Sequence, residues 1–129
     1  MFDAQKMVQD FHLKYGAVCN SRPTMLSADD AVRRISLIFE EGSEFAGFTR
    51  KKDMVGMIDS LCDLLYVTYG TAVEMGIDLQ PFFEEVHKSN MTKTSDKDSG
   101  GKIMKGPNFV APDIKKYLDA QEWYDFDAK

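Results

Sequence analysis

The chain has 129 residues and a mass of 14.6 kDa, which allows one small domain and excludes separate cofactor and substrate domains. Hydrophobic residues make up 43% and charged residues 29%, a composition that excludes disordered and fibrous classes. Lys and Arg number 16 against 21 Asp and Glu, so the net charge of −5 disfavours a general nucleic-acid binder.

Apolar spacing and capping residues predict two helices in the first half of the chain. The first covers about residues 3–16, with Asp3 as its N-cap, and a loop follows. Ser27 and Asp30 are spaced like a capping box, which predicts a second helix running to about Thr49.

The same signals predict a third and a fourth helix. Asp53 is the expected N-cap of the third helix, which Gly76 ends. Asp78 is the expected N-cap of the fourth, with Pro81 in its first turn and an end near Thr92.

Beyond the fourth helix the composition becomes polar and glycine-rich. This predicts a mobile basic loop over about residues 94–111, followed by a short helix over residues 113–123. No internal repeat and no long strand-like alternation is present. We therefore predict a single all-α domain, a four-helix bundle with a core over about residues 27–93 plus a C-terminal loop and short helix.

The context of the cysteines and of the N-terminus predicts a cytoplasmic protein. Cys19 and Cys62 are expected to be reduced thiols. Charged residues interrupt the first 16 positions, and no run of 18 apolar residues occurs, so we expect neither a signal peptide nor a membrane span.

The second helix carries an acidic stripe. Leu37, Glu41, Glu44 and Phe48 are spaced to share one face, whose two ends are apolar, and Glu40 flanks the same patch. A solvated helix face is the ordinary explanation of such a run. Because both ends of the stripe are apolar, we favour the interpretation that these acids interrupt a buried face.

Two further acids lie in the third helix, which is apolar on nearly every side and is therefore expected in the middle of the core. Asp59 and Asp63 lie one helical turn apart, with no Lys or Arg in that stretch. A desolvated, unpaired carboxylate costs several kcal/mol, so burial requires a partner. Two ordinary interpretations stay open: the two aspartates lie on the surface, or each forms a salt bridge with a residue of another helix.

Carboxylates from two helices predict a site for a hard divalent cation. Oxygen ligands without cysteine or paired histidine favour Mg²⁺ or Mn²⁺ over zinc. Since Mg²⁺ in proteins is usually completed by waters and substrate phosphates, such a site indicates phosphate chemistry.

Basic and polar side chains follow in the C-terminal third. His87, Asn90 and Lys93 form a strip on the fourth helix, for which a solvated face is an equally good interpretation. Lys102 and Lys105, among glycines, are typical of a flexible segment that closes on a polyphosphate. The segment matches neither a P-loop nor a dinucleotide fingerprint.

Four segments in order, EEGSE, DLLYV, SNMTK and GKIMKGPNF, resemble the all-α nucleoside triphosphate pyrophosphatases. That superfamily includes MazG, dimeric dUTPases and phosphoribosyl-ATP pyrophosphohydrolase. The likeness runs from about Asp30 to Pro112. Its last segment is similar to the phosphoribosyl-ATP pyrophosphohydrolase-like and phage MazG-like branch.

The resemblance implies hydrolysis between the α and β phosphorus atoms of a nucleotide, with two or more Mg²⁺ ions per site, for which Mn²⁺ substitutes. Glu41 and Glu44 match the first metal-binding pair of the family, and Asp63 matches the aspartate of the second pair. Glu40 matches the acid that orients or deprotonates the attacking water.

The resemblance also assigns substrate contacts and has one departure. Asn90 and Lys93 match a nucleotide-contacting pair. Where the family pattern ExxD has its glutamate, this chain has Ser60, and Asp59 stands one position earlier. Since both positions flank the face of Asp63, Asp59 is expected to serve as a metal ligand, directly or through water.

The expected substrate is a (deoxy)nucleoside triphosphate, with a purine such as (d)GTP favoured on resemblance and with phosphoribosyl-ATP or dUTP as alternatives. Phe11 and Tyr15, with the loop over residues 19–25, are candidates for a base-stacking wall, although a core role is favoured. The activity would be cytoplasmic, in the host cell if the chain is phage-encoded.

We also expect a homo-oligomer, because so apolar a chain leaves hydrophobic surface to cover. The resemblance implies dimers or dimers of dimers, and of these we slightly favour the tetramer. Small residues on the third helix would permit close contact across a two-fold axis. They are Gly56, Ser60, Gly70 and Ala72.

Two other classes compete with this interpretation. A di-iron bundle needs two E-x-x-H motifs. Glu84 and His87 supply one, but Gln9 stands three residues before the other histidine, His12. A non-catalytic helical interaction module is the second alternative, which Mg²⁺-dependent thermal stabilisation would distinguish from the enzyme.

Overall fold

The computed structural model describes residues 1–121, and this part of the chain is helical, with no β-strand. The predicted all-α class is therefore confirmed. Two residues of the predicted last helix, 122 and 123, lie outside the described part. The helices are α1 (Asp3–Tyr15), α2 (Ala28–Arg50), α3 (Met54–Met75), α4 (Gln80–Asn90) and α5 (Ile114–Asp119).

The two long helices begin at their predicted caps. The Ser27 side chain accepts a hydrogen bond from the Asp30 N–H at 3.1 Å, and Asp53 accepts from the Gly56 N–H at 3.0 Å. Gly76 ends α3 in the left-handed conformation, with φ 66°. These local signals specify helix ends because each satisfies backbone groups that the helix leaves unpaired.

The predicted caps of α1 and α4 need correction. Asp3 is the first helical residue of α1 rather than its N-cap, which is Phe2 without a side-chain cap. An acid in the first turn still interacts favourably with the helix dipole, so the same residue suits both positions. The N-cap of α4 is Leu79, although Asp78 accepts from the Gln80 N–H at 3.0 Å.

Helix α3 packs against α2 on one side and against α1 on another, while α4 contacts α5. The number of helices that share one bundle stays a prediction. Near one end of the α2–α3 pair, the ring of Phe48 occupies the space above Gly56. Near the other end, the Arg34 guanidinium lies against Gly70. The two helices are therefore antiparallel.

A buried ionic network joins α2 to the C-terminal half of α3. The guanidinium of Arg34 donates to the Glu74 carboxylate at 3.2 Å and to the Val67 carbonyl at 3.0 Å. Arg33 adds a second ion pair to Glu74 at 3.1 Å. Only 1% of Glu74 and 7% of Arg34 is exposed, so each charge depends on the other.

Side-chain amides form hydrogen bonds with the backbone at the end of α3 and just beyond it. Gln5 of α1, itself 1% exposed, donates to the Ile77 carbonyl at 2.6 Å and accepts from the Leu79 N–H at 3.0 Å. Asn20 in the first loop donates to the carbonyl of Glu74 at 2.5 Å. Neighbouring polar groups thus satisfy the backbone where α3 ends.

The polar segment after α4 is more regular than its composition indicates. Backbone hydrogen bonds join Thr94 to Met104 and Asp98 to Lys102, at 3.1 and 2.9 Å. The Asp98 side chain accepts from the N–H groups of Gly100 and Lys102, both at 2.9 Å. Residues 94–104 therefore form a hydrogen-bonded hairpin in place of the predicted irregular loop, because Asp98 closes its turn.

The interpretation of α3 as the centre of a core on all sides is wrong for a single chain. One face of α3 packs on α2, but the opposite face is open to solvent. Helix α2 likewise has one apolar stripe that is open to solvent. The exposed apolar residues on these two helices are Val32, Ile35, Phe39, Met54, Val55, Ile58, Leu61, Leu65 and Tyr66. Among the described helices, none is long and apolar enough to cross a membrane.

The small residues of α3 do not serve the predicted two-fold contact. Gly56, Ser60, Gly70 and Ala72 are all buried within one chain. Gly56 accommodates Phe48, and Gly70 accommodates Arg34. The small size of Gly56 and Gly70 therefore lets α2 approach α3 inside the protomer. Since all four positions are already buried in one chain, the prediction about them was wrong.

Candidate metal and phosphate site

Three of the predicted metal ligands meet between α2 and α3. Glu41, Glu44 and Asp63 each offer a carboxylate oxygen, and these oxygens all lie within 4.8 Å of one another. Glu41 and Asp63 are half-buried, whereas Glu44 is exposed. In the described part of the chain, no other group of three or more potential ligands is close enough to hold a metal ion.

The electrostatics of this acidic cluster centre on Glu41. Burial raises the pKa of its carboxyl group, and the negative charges of Glu44, Asp63 and Glu40 raise the pKa further. The Oε2 atom of Glu41 is buried without a hydrogen-bond partner among the described residues. An unpaired oxygen beside other carboxylates fits a divalent cation, which would favour the charged form of all three groups.

The remaining acids of the predicted site lie at its edge. Glu40 is exposed and close enough for its charge to affect Glu41. Asp59 is exposed and does not belong to the group of three. Direct metal binding by Asp59 therefore stays a prediction without geometric support.

The structure brings the three lysines that were predicted to bind the substrate to one cavity. A cavity of about 340 Å³ lies between the end of α4 and the hairpin. It is lined by Lys93, Asp98, Lys102, Ile103, Met104 and Lys105. The net positive charge of this lining and its open side suit an anionic ligand.

His87 and Asn90, the other two predicted substrate contacts, do not line this cavity. Both are exposed on α4. Glu84 of the single E-x-x-H motif accepts from Gln80 at 2.9 Å and joins no metal cluster with His87 among the described residues. In the described part of the chain, nothing beyond the single E-x-x-H motif supports a di-iron site.

The predicted base-stacking wall is only partly available. Phe11 packs against Tyr15 and Tyr66, with ring centroids 4.8 and 5.6 Å apart, and both members of the predicted pair remain exposed. The favoured core role is therefore wrong for a single chain. In the adjoining loop, the backbone N–H groups of Asn20 and Thr24 donate to carbonyls of α3. These two N–H groups are therefore not free to bind a base.

Sequence reasoning missed two residues near these sites. Asp98, treated as part of a flexible segment, closes the hairpin turn and lines the lysine cavity. An Asp two residues before Gly-Gly is a turn signal that could have identified it. Ser60, treated as a departure from a motif, is 1% exposed and lies three residues before Asp63 of the acidic cluster.

The part of the chain that holds the acidic cluster matches a known protein family. The model of the phosphoribosyl-ATP pyrophosphohydrolase family matches residues 8–90. The match contains the whole acidic cluster and ends before the hairpin. No curated protein gives a significant match to the chain.

Proposed function

The chain belongs to the phosphoribosyl-ATP pyrophosphohydrolase family, and on this basis we propose that it is a Mg²⁺-dependent enzyme releasing pyrophosphate from a nucleoside triphosphate. Nucleotide pyrophosphohydrolase chemistry in general follows from the family. The more specific reaction is hydrolysis of the bond between the α and β phosphorus atoms of a (d)NTP.

The acidic cluster carries the proposal. Glu41, Glu44 and Asp63 supply only hard oxygen donors, with one buried oxygen left unpaired, and this set suits Mg²⁺ or Mn²⁺. When bound, such ions neutralise phosphate oxygens and stabilise the charge that develops on the leaving pyrophosphate.

The protein's own groups would position the other reactants. Glu40, exposed beside the cluster, would orient the attacking water and accept its proton as the oxygen bonds to the α phosphorus. Lys93, Lys102 and Lys105 would hold the polyphosphate through their charges. His87 and Asn90, exposed on α4, would contact the remainder of the nucleotide.

Product analysis tests the reaction. We expect nucleoside monophosphate and pyrophosphate in equal amounts, and we expect Glu44→Gln to lower kcat by about 100-fold or more. Glu84→Gln changes an exposed carboxylate outside the cluster and should retain activity. Orthophosphate as the product, or full activity in Glu44→Gln, would contradict the proposal.

The preferred base rests on resemblance alone, and we favour a purine such as (d)GTP. A panel of canonical nucleoside triphosphates with dUTP and phosphoribosyl-ATP, assayed for pyrophosphate release, tests this preference. If kcat/KM for dUTP or phosphoribosyl-ATP exceeds that of every purine triphosphate by about tenfold, roughly 1.4 kcal/mol in transition-state binding, the purine assignment fails. Phosphoribosyl-ATP is the alternative that the family description itself favours.

A further inference from the structure

Ser60 is a buried polar residue whose hydroxyl group has no partner in the described part of the chain. It is 1% exposed, and its Oγ makes no hydrogen bond there. Among residues 1–121, one further buried side-chain atom has no partner, Oε2 of Glu41 in the acidic cluster. Buried polar groups are nearly always paired, so each orphan requires an explanation.

The register of α2 and α3 brings Ser60 to the acidic cluster. Phe48 lies over Gly56, Arg34 lies against Gly70, and between these contacts Glu41 meets Asp63. In antiparallel helices the same register places Ser60 opposite Glu44. Ser60 also precedes Asp63 by three residues, which are neighbouring positions on one helical face.

The chemistry of the cluster accounts for an unpaired hydroxyl at this position. Every protein group in the cluster is a carboxylate, and hard divalent cations take six or more oxygen ligands. A serine oxygen is a neutral hard donor of the same kind. The hydroxyl and Oε2 of Glu41 would both be satisfied by one cation.

We propose that Ser60 Oγ is an oxygen ligand of the divalent cation held by Glu41, Glu44 and Asp63. This inference rests on the proposed function, because it uses the same metal site. Ser60 then replaces a carboxylate by a neutral donor and leaves the site less negatively charged. Asp59, which is exposed, is not required as the fourth protein ligand.

Mn²⁺ binding to the intact chain without nucleotide tests this role. Ser60→Ala removes the oxygen and little volume, and we expect it to raise the Kd for Mn²⁺ about 10-fold. Thermal unfolding of the metal-free variant should match or exceed that of the wild type, because the change removes a buried group that has no partner.

Ser89→Ala is the matched control. Ser89 is 5% exposed, but its hydroxyl donates to the Val110 carbonyl at 2.6 Å. We expect this variant to be less stable and to bind Mn²⁺ with unchanged affinity. Ser60→Ala should therefore weaken Mn²⁺ binding without loss of stability, whereas Ser89→Ala should lower stability without weakening Mn²⁺ binding. This contrast distinguishes a metal ligand from a residue that only contributes to packing.

Ser60→Cys gives a second measurement that does not depend on the alanine variant folding. A thiol favours softer metals, so the affinity for Cd²⁺ relative to Mn²⁺ should rise about 10-fold over the wild type, in which Cys19 and Cys62 are already present.

An unchanged Mn²⁺ affinity in folded Ser60→Ala, or an unchanged metal ratio in Ser60→Cys, would overturn the role of Ser60. Absence of Mn²⁺ binding by the wild type would instead refute the metal site of the proposed function.

Discussion

Glu41 is a half-buried carboxylate that has other carboxylates as neighbours. Burial and the neighbouring acids raise its pKa, so folding favours its protonated form relative to the unfolded chain. The folded state then binds more protons, and stability falls as pH rises through the interval between the unfolded and folded pKa values. The metal-free site therefore opposes folding at neutral pH.

Glu41→Gln should consequently stabilise the metal-free protein at neutral pH. The gain should disappear in acid, below the unfolded pKa of the carboxyl, because the group is then protonated in both states. Thermal unfolding of both proteins across this pH range measures the difference. A gain in Tm that does not depend on pH would contradict the electrostatic explanation.

Added Mn²⁺ should reverse this order of stability. The cation favours the charged carboxylates, so it should raise the Tm of the wild type more at neutral than at acid pH, where protons compete for the same oxygens. Glu41→Gln should respond less at both pH values.

Glu74 is a residue whose importance lies in stability rather than in chemistry. It is almost fully buried and pairs with Arg34, which is also buried. Glu74→Ala leaves that guanidinium buried without its counter-ion and should cost about 3–5 kcal/mol of unfolding free energy. Chemical denaturation measures the loss, and Asp30→Ala, which removes a more accessible partner of Arg33, should cost much less.

Element boundaries could be predicted where a local signal decides them. Ser27 and Asp53 cap their helices in the predicted way because the N-terminal N–H groups donate to any well-placed side-chain oxygen. The choice between Asp59 and Ser60 could not be made in the same way. Both positions flank Asp63 on a helical wheel, and only the rotation of α3 against α2 decides which one is buried.

Helix packing at Gly70 gives a prediction at the scale of the element. A methyl group there would collide with the Arg34 guanidinium and approach His12 Nε2 at 3.1 Å, so Gly70→Ala should cost about 1–3 kcal/mol. Gly47, in the interior of α2, has open space where a Cβ atom would lie. Gly47→Ala should therefore stabilise the protein by about 0.5–1 kcal/mol, and denaturant titration of both variants checks the contrast.

The hairpin over residues 94–104 can be tested as a separate element. If its cavity holds the polyphosphate, Lys105→Ala should raise KM or lower kcat by about 10-fold without changing the Tm. Lys97→Ala is the control, since Lys97 belongs to the hairpin but does not line the cavity. Equal kinetics in the two variants would remove the hairpin from the substrate site.

For the whole molecule, the sequence predicted the helical class and the acids that meet, but not which surfaces are covered. The apolar residues of α3 belong to two faces, and a helical pattern cannot tell a face buried by α2 from one that stays open in the protomer. The charged pair of Arg34 and Glu74 was missed for a related reason. Each is one charged side chain in a different helix, and only the packing of α2 on α3 joins them.

The open faces of α2 and α3 lead to the prediction on assembly. Phe39 and Val55 are 74% and 79% exposed, and they belong to apolar stripes that continue along both helices. Exposed apolar stripes of this kind are typical of surfaces that another chain covers, so we propose a homo-oligomer, and on the resemblance we favour a tetramer over a dimer. Light scattering should give a mass above that of one chain at micromolar concentration. Phe39→Glu should lower this mass because it places a charge in the contact, whereas Lys97→Ala should not, and a monomeric wild type would contradict the proposal.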